Sequence, residues 1–252
     1  MPLPKPYLSP SQINQYLRCP QCYKFKYIDG IWAPATSAMV RGKAVHSGVE
    51  FNYRQKMDTH EDLPLNQILE FSAETFVSES VEADFKDDDS GKIKDSTMEL
   101  LSMYHENIAP MIQPASVEQR VEVAFEGLDY TLLGYIDVID QYGYIRDTKT
   151  TGKNPDDNII HNNLQLIAYA VMHRTLQGRE TGIVLDYLVA TKTPKFVRFE
   201  KRVTDEETTR FLRIMQAVAS AIETDLFLPN PTCFQCSTPK GFYYDLNMEV
   251  WK

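Results

Sequence analysis

Asp137, Asp147 and Lys149 are the residues whose types and spacing most directly suggest chemistry. They fall in the run GYIDVIDQYGYIRDTKT, residues 134–150, which reads as two short strands over 130–138 and 144–150. The turn between them is Asp140-Gln141-Tyr142-Gly143. Side chains alternate across a strand, so Asp147 and Lys149 project to one side with Asp137 within cross-strand reach. Carboxylates gathered this closely are costly unless something cationic sits between them. Oxygen-ligated Mg²⁺ or Mn²⁺ meets that need, which leaves the lysine to position or deprotonate an attacking water. A bland reading stands beside this one, since acids and lysines also alternate by chance along solvated strand edges.

The cysteines form a second constellation. All four belong to two pairs, Cys19-x-x-Cys22 and Cys233-x-x-Cys236. Paired spacing of this kind points to metal ligation rather than a disulfide framework. Four thiolates can build a tetrahedral zinc site or hold a [4Fe–4S] cluster. More than 200 residues separate the pairs, so the site would clamp the start of the chain to its tail. A closed set of cysteines has no open position for chemistry, and the expected role is structural.

These residues need elements to hold them. Ser9 or Ser11 is a helix N-cap ahead of Ile13, Tyr16 and Leu17, and that helix should stop near Cys19-Pro20. Lys24, Phe25, Lys26 and Tyr27 follow, and they read equally as nucleic-acid contacts or as core with solvated lysines. Arg41 to Glu50 opens another helix, on which His46 and Glu50 share a face. Helices are expected over Leu65–Ser80 and 93–108, with Asp87-Asp88-Asp89 in an exposed turn between them. Residues 117–125 alternate as a strand and turn at Gly127. After the central hairpin come a loop over 150–158 and a helix over 159–176 that places Gln165 and Tyr169 on one face. Strands over 182–190 and 195–203 and a helix over Asp205–Glu223 lead to the cysteine tail.

The chain has 252 residues, 43% of them hydrophobic and 24% charged, which suits a globular protein with a substantial core. The formal net charge of −9 argues against a protein that coats nucleic acid through bulk positive charge. A local basic groove remains compatible with it. No apolar run approaches the length of a membrane span, and MPLPKPYLSPSQ lacks the apolar core of a signal peptide, so no membrane partner and a cytoplasmic location are expected.

Asp137 followed by Asp147-Thr148-Lys149 resembles the Asp…(Asp/Glu)-x-Lys signature of the PD-(D/E)xK nuclease superfamily. Gly134-Tyr135-Ile136-Asp137, Gly42-x-x-x-His46-x-x-x-Glu50 and Gln165-x-x-x-Tyr169 resemble motifs of its RecB-like branch. The opening around Ser9, Ser11, Tyr16 and Cys19-Pro20 is similar to that of branch members with an iron–sulfur cluster, the CRISPR-associated and AddB-type exonucleases. Those members carry one cysteine near the N-terminus and three near the C-terminus. This chain has two and two, with Gly241-Phe242-Tyr243-Tyr244-Asp245 where a third C-terminal cysteine is expected. Cys22 would then supply the fourth ligand. A [4Fe–4S] cluster is the expectation and zinc the alternative.

The resemblance implies a restriction-endonuclease-like α/β fold, a mixed sheet flanked by helices. It implies one nuclease domain over 1–252 with a helical insertion at 51–115 that roofs the active-site channel. His46, Asp137, Asp147 and the Thr148 carbonyl would hold one or two Mg²⁺ or Mn²⁺ ions, with Glu50 steadying the histidine. Lys149 would orient the water, while Gln165 and Tyr169 would hold substrate phosphate or DNA. Arg41, Lys43, Lys24 and Lys26 are candidate DNA contacts. The implied activity is a metal-dependent DNA nuclease, an exonuclease on DNA ends or single strands. Its setting would be repair, recombination, phage DNA processing or CRISPR adaptation, with protein partners if it works inside a complex. The alternative is a catalytically silent DNA-binding or assembly subunit that keeps the fold.

Overall fold

The computed structural model of the chain describes residues 3–179 and 181–251. A short strand β1 (Tyr7–Leu8) leads into helix α1 (Pro10–Arg18), the single turn α2 (Pro20–Tyr23) and a π-helical turn over Lys24–Ile28. Three long helices follow: α3 (Ser37–Thr59), α4 (Leu65–Ser80) and α5 (Ser90–Asn107). Next come β2 (Pro114–Ala124), β3 (Thr131–Asp140) and β4 (Ile145–Thr151), then α6 (Leu164–Gln177), β5 (Gly182–Val189) and β6 (Lys195–Arg202). Helix α7 (Asp205–Glu223) and the short helices α8 (Phe234–Ser237) and α9 (Tyr244–Val250) complete the chain.

The six strands form one mixed sheet in the order β1-β3-β4-β5-β6, with β2 antiparallel to β3. β4 and β5 run parallel, and β5 and β6 antiparallel. Because β2 pairs with β3 from Thr131 to Asp140, β1 and β4 must share its other edge. β1 takes Thr131 and Leu132, and β4 takes Val138 and Ile139. Residues 133–137 on that edge lie between the two, and the β3–β4 ladder ends one position before Asp137 and Asp147. The sheet forks where the acids sit.

Helices cover both faces. One core joins α1, α6 and α7 to the sheet through Ile13, Leu166, Met172, Phe211, Ile136 and Leu185. The other packs α3, α4 and α5 on Val117, Val138 and Leu188 through Val45, Ile68 and Leu101. Ser9 caps α1 by accepting from the Gln12 amide, and Thr204 with Glu207 forms a capping box on α7, so both helices start where the sequence predicts. α6 begins at Leu164 rather than at residue 159, because the Asn163 side chain accepts from the Leu166 amide and fixes the start there. No helix among the described residues is long and apolar enough to cross a membrane.

A buried ion network anchors β4 beside the fork. Arg146 lies 2.7 Å from Asp140 and 3.0 Å from Asp186, and Arg198 lies 2.7 Å from Asp186. The side chains of Asp140 and Asp186 are each 1% exposed. Removing one partner would leave a buried charge unmatched, so Asp186→Ala should cost about 3–5 kcal/mol. Urea unfolding should report it as a lowered midpoint with an unchanged slope.

Candidate functional site

The fork collects its side chains from four elements. α3 presents His46 and Glu50, β2 presents Glu118, β3 presents Asp137, and β4 presents Asp147, Thr148 and Lys149. His46 Nε2 lies 2.7 Å from Glu118 Oε1, and His46 Nδ1 lies 3.7 Å from Asp137 Oδ2. Ligand atoms of His46, Glu50 and Glu118 all fall within 4.8 Å of one another. Lys149 Nζ stands 2.9 Å from Asp147 Oδ2. Asp137 stands between the two sets, close enough to both His46 and Asp147 for each to shift its titration. Thr148 helps line a small cavity with His46, Glu50, Glu118 and Asp137.

The electrostatics of this cluster are unbalanced. Asp147 is 1% exposed, yet neither of its carboxylate oxygens has a hydrogen-bond partner. Lys149 meets it as an ion pair at 2.9 Å, and the Asp137 carboxyl is its other close polar neighbour. Burial and the neighbouring Asp147 charge push the Asp137 carboxyl well above the ordinary carboxylate range. Burial alone would lower the His46 imidazole, but its bond to Glu118 and the charges of Asp137, Glu118 and Asp147 outweigh that and raise it to about 9. Burial likewise works against the Lys149 ammonium, and the Asp147 charge more than offsets it. Orphaned, buried carboxylate oxygens beside an imidazole and further carboxylates are a donor set that fits a hard divalent cation.

α6 closes one side of the fork. Gln165 Nε2–H donates to the Tyr169 hydroxyl at 3.2 Å, and burial holds that phenol up at about 12. A β-carbon on Gly134 would come within 2.6 Å of the Tyr169 ring, so the ring lies directly on the β3 backbone. The cationic candidates divide. Lys24 pairs with Asp29 at 2.9 Å, Lys43 pairs with Glu79 at 2.6 Å, and half-buried Arg41 feels the charge of Asp88. None of these three lines the groove that leads to the fork, whereas Lys26 does.

Sequence reasoning missed Glu118, which falls among polar residues of a strand that simply alternates. Its backbone is left-handed, with φ at 49°, a conformation that no residue type at this position announces. One signal was available. β2 and β3 pair about the Gly127–Leu128 turn, and equal steps out from that turn set Glu118 opposite Asp137.

The cysteines meet away from the fork. All four sulfurs lie within 4.8 Å of one another, with Cys19–Cys236 at 3.8 Å, Cys22–Cys233 at 3.6 Å and Cys22–Cys236 at 3.0 Å. A single zinc with bonds of about 2.3 Å spaces tetrahedral sulfurs by roughly 3.8 Å. A four-iron cluster interposes an iron for every thiolate and spreads them further. Two of the three distances lie near that tetrahedral spacing and the third, Cys22–Cys236, is shorter. The Cys19 thiolate is held down by its Cys22 and Cys236 neighbours, and the Cys236 thiol is pushed up to about 12, so the cluster cannot ionise fully without a cation.

The His46 imidazole, raised to about 9, carries a proton at neutrality, the Asp137 carboxyl is shifted in the same direction, and ligation must displace what protons they hold. Mn²⁺ should therefore bind more tightly at about pH 8 than at about pH 6. At roughly a hundredfold excess over its dissociation constant it should stabilise the fold by about 2.7 kcal/mol. Asp137→Asn should lose that gain in a thermal melt.

Comparison with known proteins gives the family and a likeness of fold. A family model described as the PD-(D/E)XK nuclease superfamily matches residues 7–240. A crystal structure of a candidate exonuclease from Eubacterium rectale overlays with a TM-score of 0.60, covering 95% of this chain and 92% of that one at 14% identity, a likeness of fold. Gene 69 protein of Mycobacterium phage L5 is 34% identical over 74 residues, which are 29% of this chain and 25% of that relative. With the model running from β1 into the cysteine tail, the chain belongs to the PD-(D/E)XK nuclease superfamily.

Proposed function

We propose that this chain is a divalent-metal-dependent deoxyribonuclease, working as an exonuclease on DNA ends or single strands. The observation that carries the reading is the Asp147 carboxylate, buried without a hydrogen bond and facing Asp137 across the open fork. His46, Glu118, Asp137 and Asp147, with the Thr148 carbonyl, would hold the ion, and Glu50 would steady His46. A bound divalent cation supplies polarisation of the phosphoryl group and stabilises the charge that develops during cleavage. Lys149, kept cationic by Asp147, donates hydrogen bonds to the attacking water and aligns it, rather than removing its proton. Gln165 and Tyr169, already bonded to each other beside the fork, hold the substrate phosphate. α4 and α5 read as an insertion that braces α3 and so fixes His46.

Within the superfamily the RecB-like branch is supported by the His46, Gln165 and Tyr169 positions around the fork and by the cysteine clamp. The partial likeness to a phage protein supports phage DNA processing as the setting. For the clamp, the sulfur spacing favours one zinc over the [4Fe–4S] cluster that the sequence resemblance suggests.

With labelled single-stranded DNA and Mn²⁺, the wild type should release nucleotides, and Asp147→Ala and Lys149→Ala should each lower the rate at least about a hundredfold. Binding without cleavage by the wild type would instead mark a silent subunit. Metal analysis of the purified protein should find one zinc per chain. A brown protein with about four irons would reverse the cofactor assignment.

A further inference from the structure

A groove of about 880 Å³ runs up to the fork, and its far walls are unlike the fork itself. The fork end carries His46, Glu50, Glu118 and Asp137. Lys5, Tyr7, Lys26, Tyr27 and Trp32 line the same groove, as does Tyr135, two residues before Asp137 on β3. Trp32 is 61% exposed and Tyr135 50% exposed, so both rings are open to a ligand in the groove. Lys26 Nζ lies 4.6 Å from the centre of the Trp32 ring and 5.2 Å from that of Tyr27, and the two rings meet edge to face at 5.8 Å. Lys5 Nζ lies 5.4 Å from the centre of the Tyr7 ring. The wall is thus a row of rings interleaved with ammonium groups.

Its position follows from the chain. The π-helical turn over Lys24–Ile28 shifts the helical phase immediately after the first cysteine pair. Phe25 then points into the cysteine cluster, where it stacks on Tyr243 at 5.3 Å, while Lys26 and Tyr27 line the groove. The Tyr243 hydroxyl donates to the Ile31 carbonyl at 2.7 Å and holds the residue next to Trp32.

We propose that this wall is a binding rail for single-stranded DNA, which stacks bases on Trp32 and Tyr135 and sets phosphates against Lys5 and Lys26 on the way to the fork. The inference rests on the nuclease reading and names its substrate class. Exposed rings recognise the faces of unstacked bases, and every base has such a face. In a duplex those faces are occupied by neighbouring base pairs, so the rail discriminates against double strands. The ammonium groups match the backbone charge, and the groove is continuous with the acid cluster, so a strand lying on the rail has phosphates that reach Asp137.

The chain holds two tryptophans, Trp32 and Trp251, so a Trp251→Phe, Asp147→Ala protein makes Trp32 the reporter in a non-cleaving background. Titration with a twelve-nucleotide oligo(dT) should quench its fluorescence, and a blunt duplex of equal length should bind at least tenfold more weakly. In the Asp147→Ala protein, followed by anisotropy of labelled oligo(dT), Trp32→Ala should weaken binding roughly 5- to 150-fold, the range for one stacked base. Trp32→Phe should recover most of that loss. Lys26→Ala should flatten the salt dependence by about 0.7 of a logarithmic unit per decade, as for one released counterion. Equal affinity for both DNA forms, unquenched Trp32 or indifference to Trp32→Ala would each overturn the rail. Because these readouts need no cleavage, an inactive wild type would defeat the nuclease reading while leaving the rail to stand or fall alone.

Discussion

The structure depends on how it treats three buried acids, Asp140, Asp147 and Asp186, in and beside one hairpin. Asp140 and Asp186 are each 1% exposed and are matched by Arg146 and Arg198 at 2.7–3.0 Å. Asp147, one residue from Arg146, is equally buried and, among the described residues, has no hydrogen-bond donor and meets a single cation, Lys149, at 2.9 Å. A folded chain rarely leaves a buried carboxylate in that state, because the lost solvation of a charge is worth several kcal/mol. The two arrangements sit side by side, so local disorder cannot account for the difference. The matched acids fix β4, and Asp147 on the same scaffold would be relieved by the divalent cation of the proposed site.

Everything near the fork works to keep that imbalance in place. The β3–β4 ladder ends at Val138 and Arg146, so the backbone separates where like charges would otherwise be pressed together. β1 takes only the first two residues of the same edge, which keeps 133–137 open. On one face α3 is wedged by α4 and α5 through Val45, Ile68 and Leu101. On the other, Tyr169 lies on Gly134 with no room for a side chain between them. Glu118, which bonds His46 at 2.7 Å, has a left-handed backbone, a conformation costly for a residue other than glycine.

How much of this the sequence disclosed follows from periodicity. Strand alternation is enough to put Asp147 and Lys149 on one side, and helical spacing is enough to put Gln165 beside Tyr169. The cysteine pairs announced a shared site because no other cysteine competes for them. Glu118 was hidden because a left-handed residue breaks the alternation that would be used to place it. The basic candidates could not be sorted from the sequence for a different reason. Charge is visible in sequence but pairing is not, and Asp29 and Glu79 claim Lys24 and Lys43 from quite different stretches of chain. Trp32 carried no motif, and its place in the groove depends on a π-helical turn whose extra residue per turn is a product of packing.

The charge of the whole molecule gives the aromatic wall its physical logic. A formal net charge of −9 repels a polyanion at long range, so bulk attraction cannot bring DNA to this surface as it does for basic proteins. At physiological salt that repulsion is screened beyond about 8 Å, and contacts inside this range decide what binds. Two lysines in the groove contribute a modest charge term. Stacking on exposed rings is short-ranged and insensitive to salt, and it is available only to bases that are already free of a partner. On the proposed rail, an acidic protein that relies on such contacts would select strands by their lack of pairing, and the rings would hold a base while its strand reaches the acids of the fork.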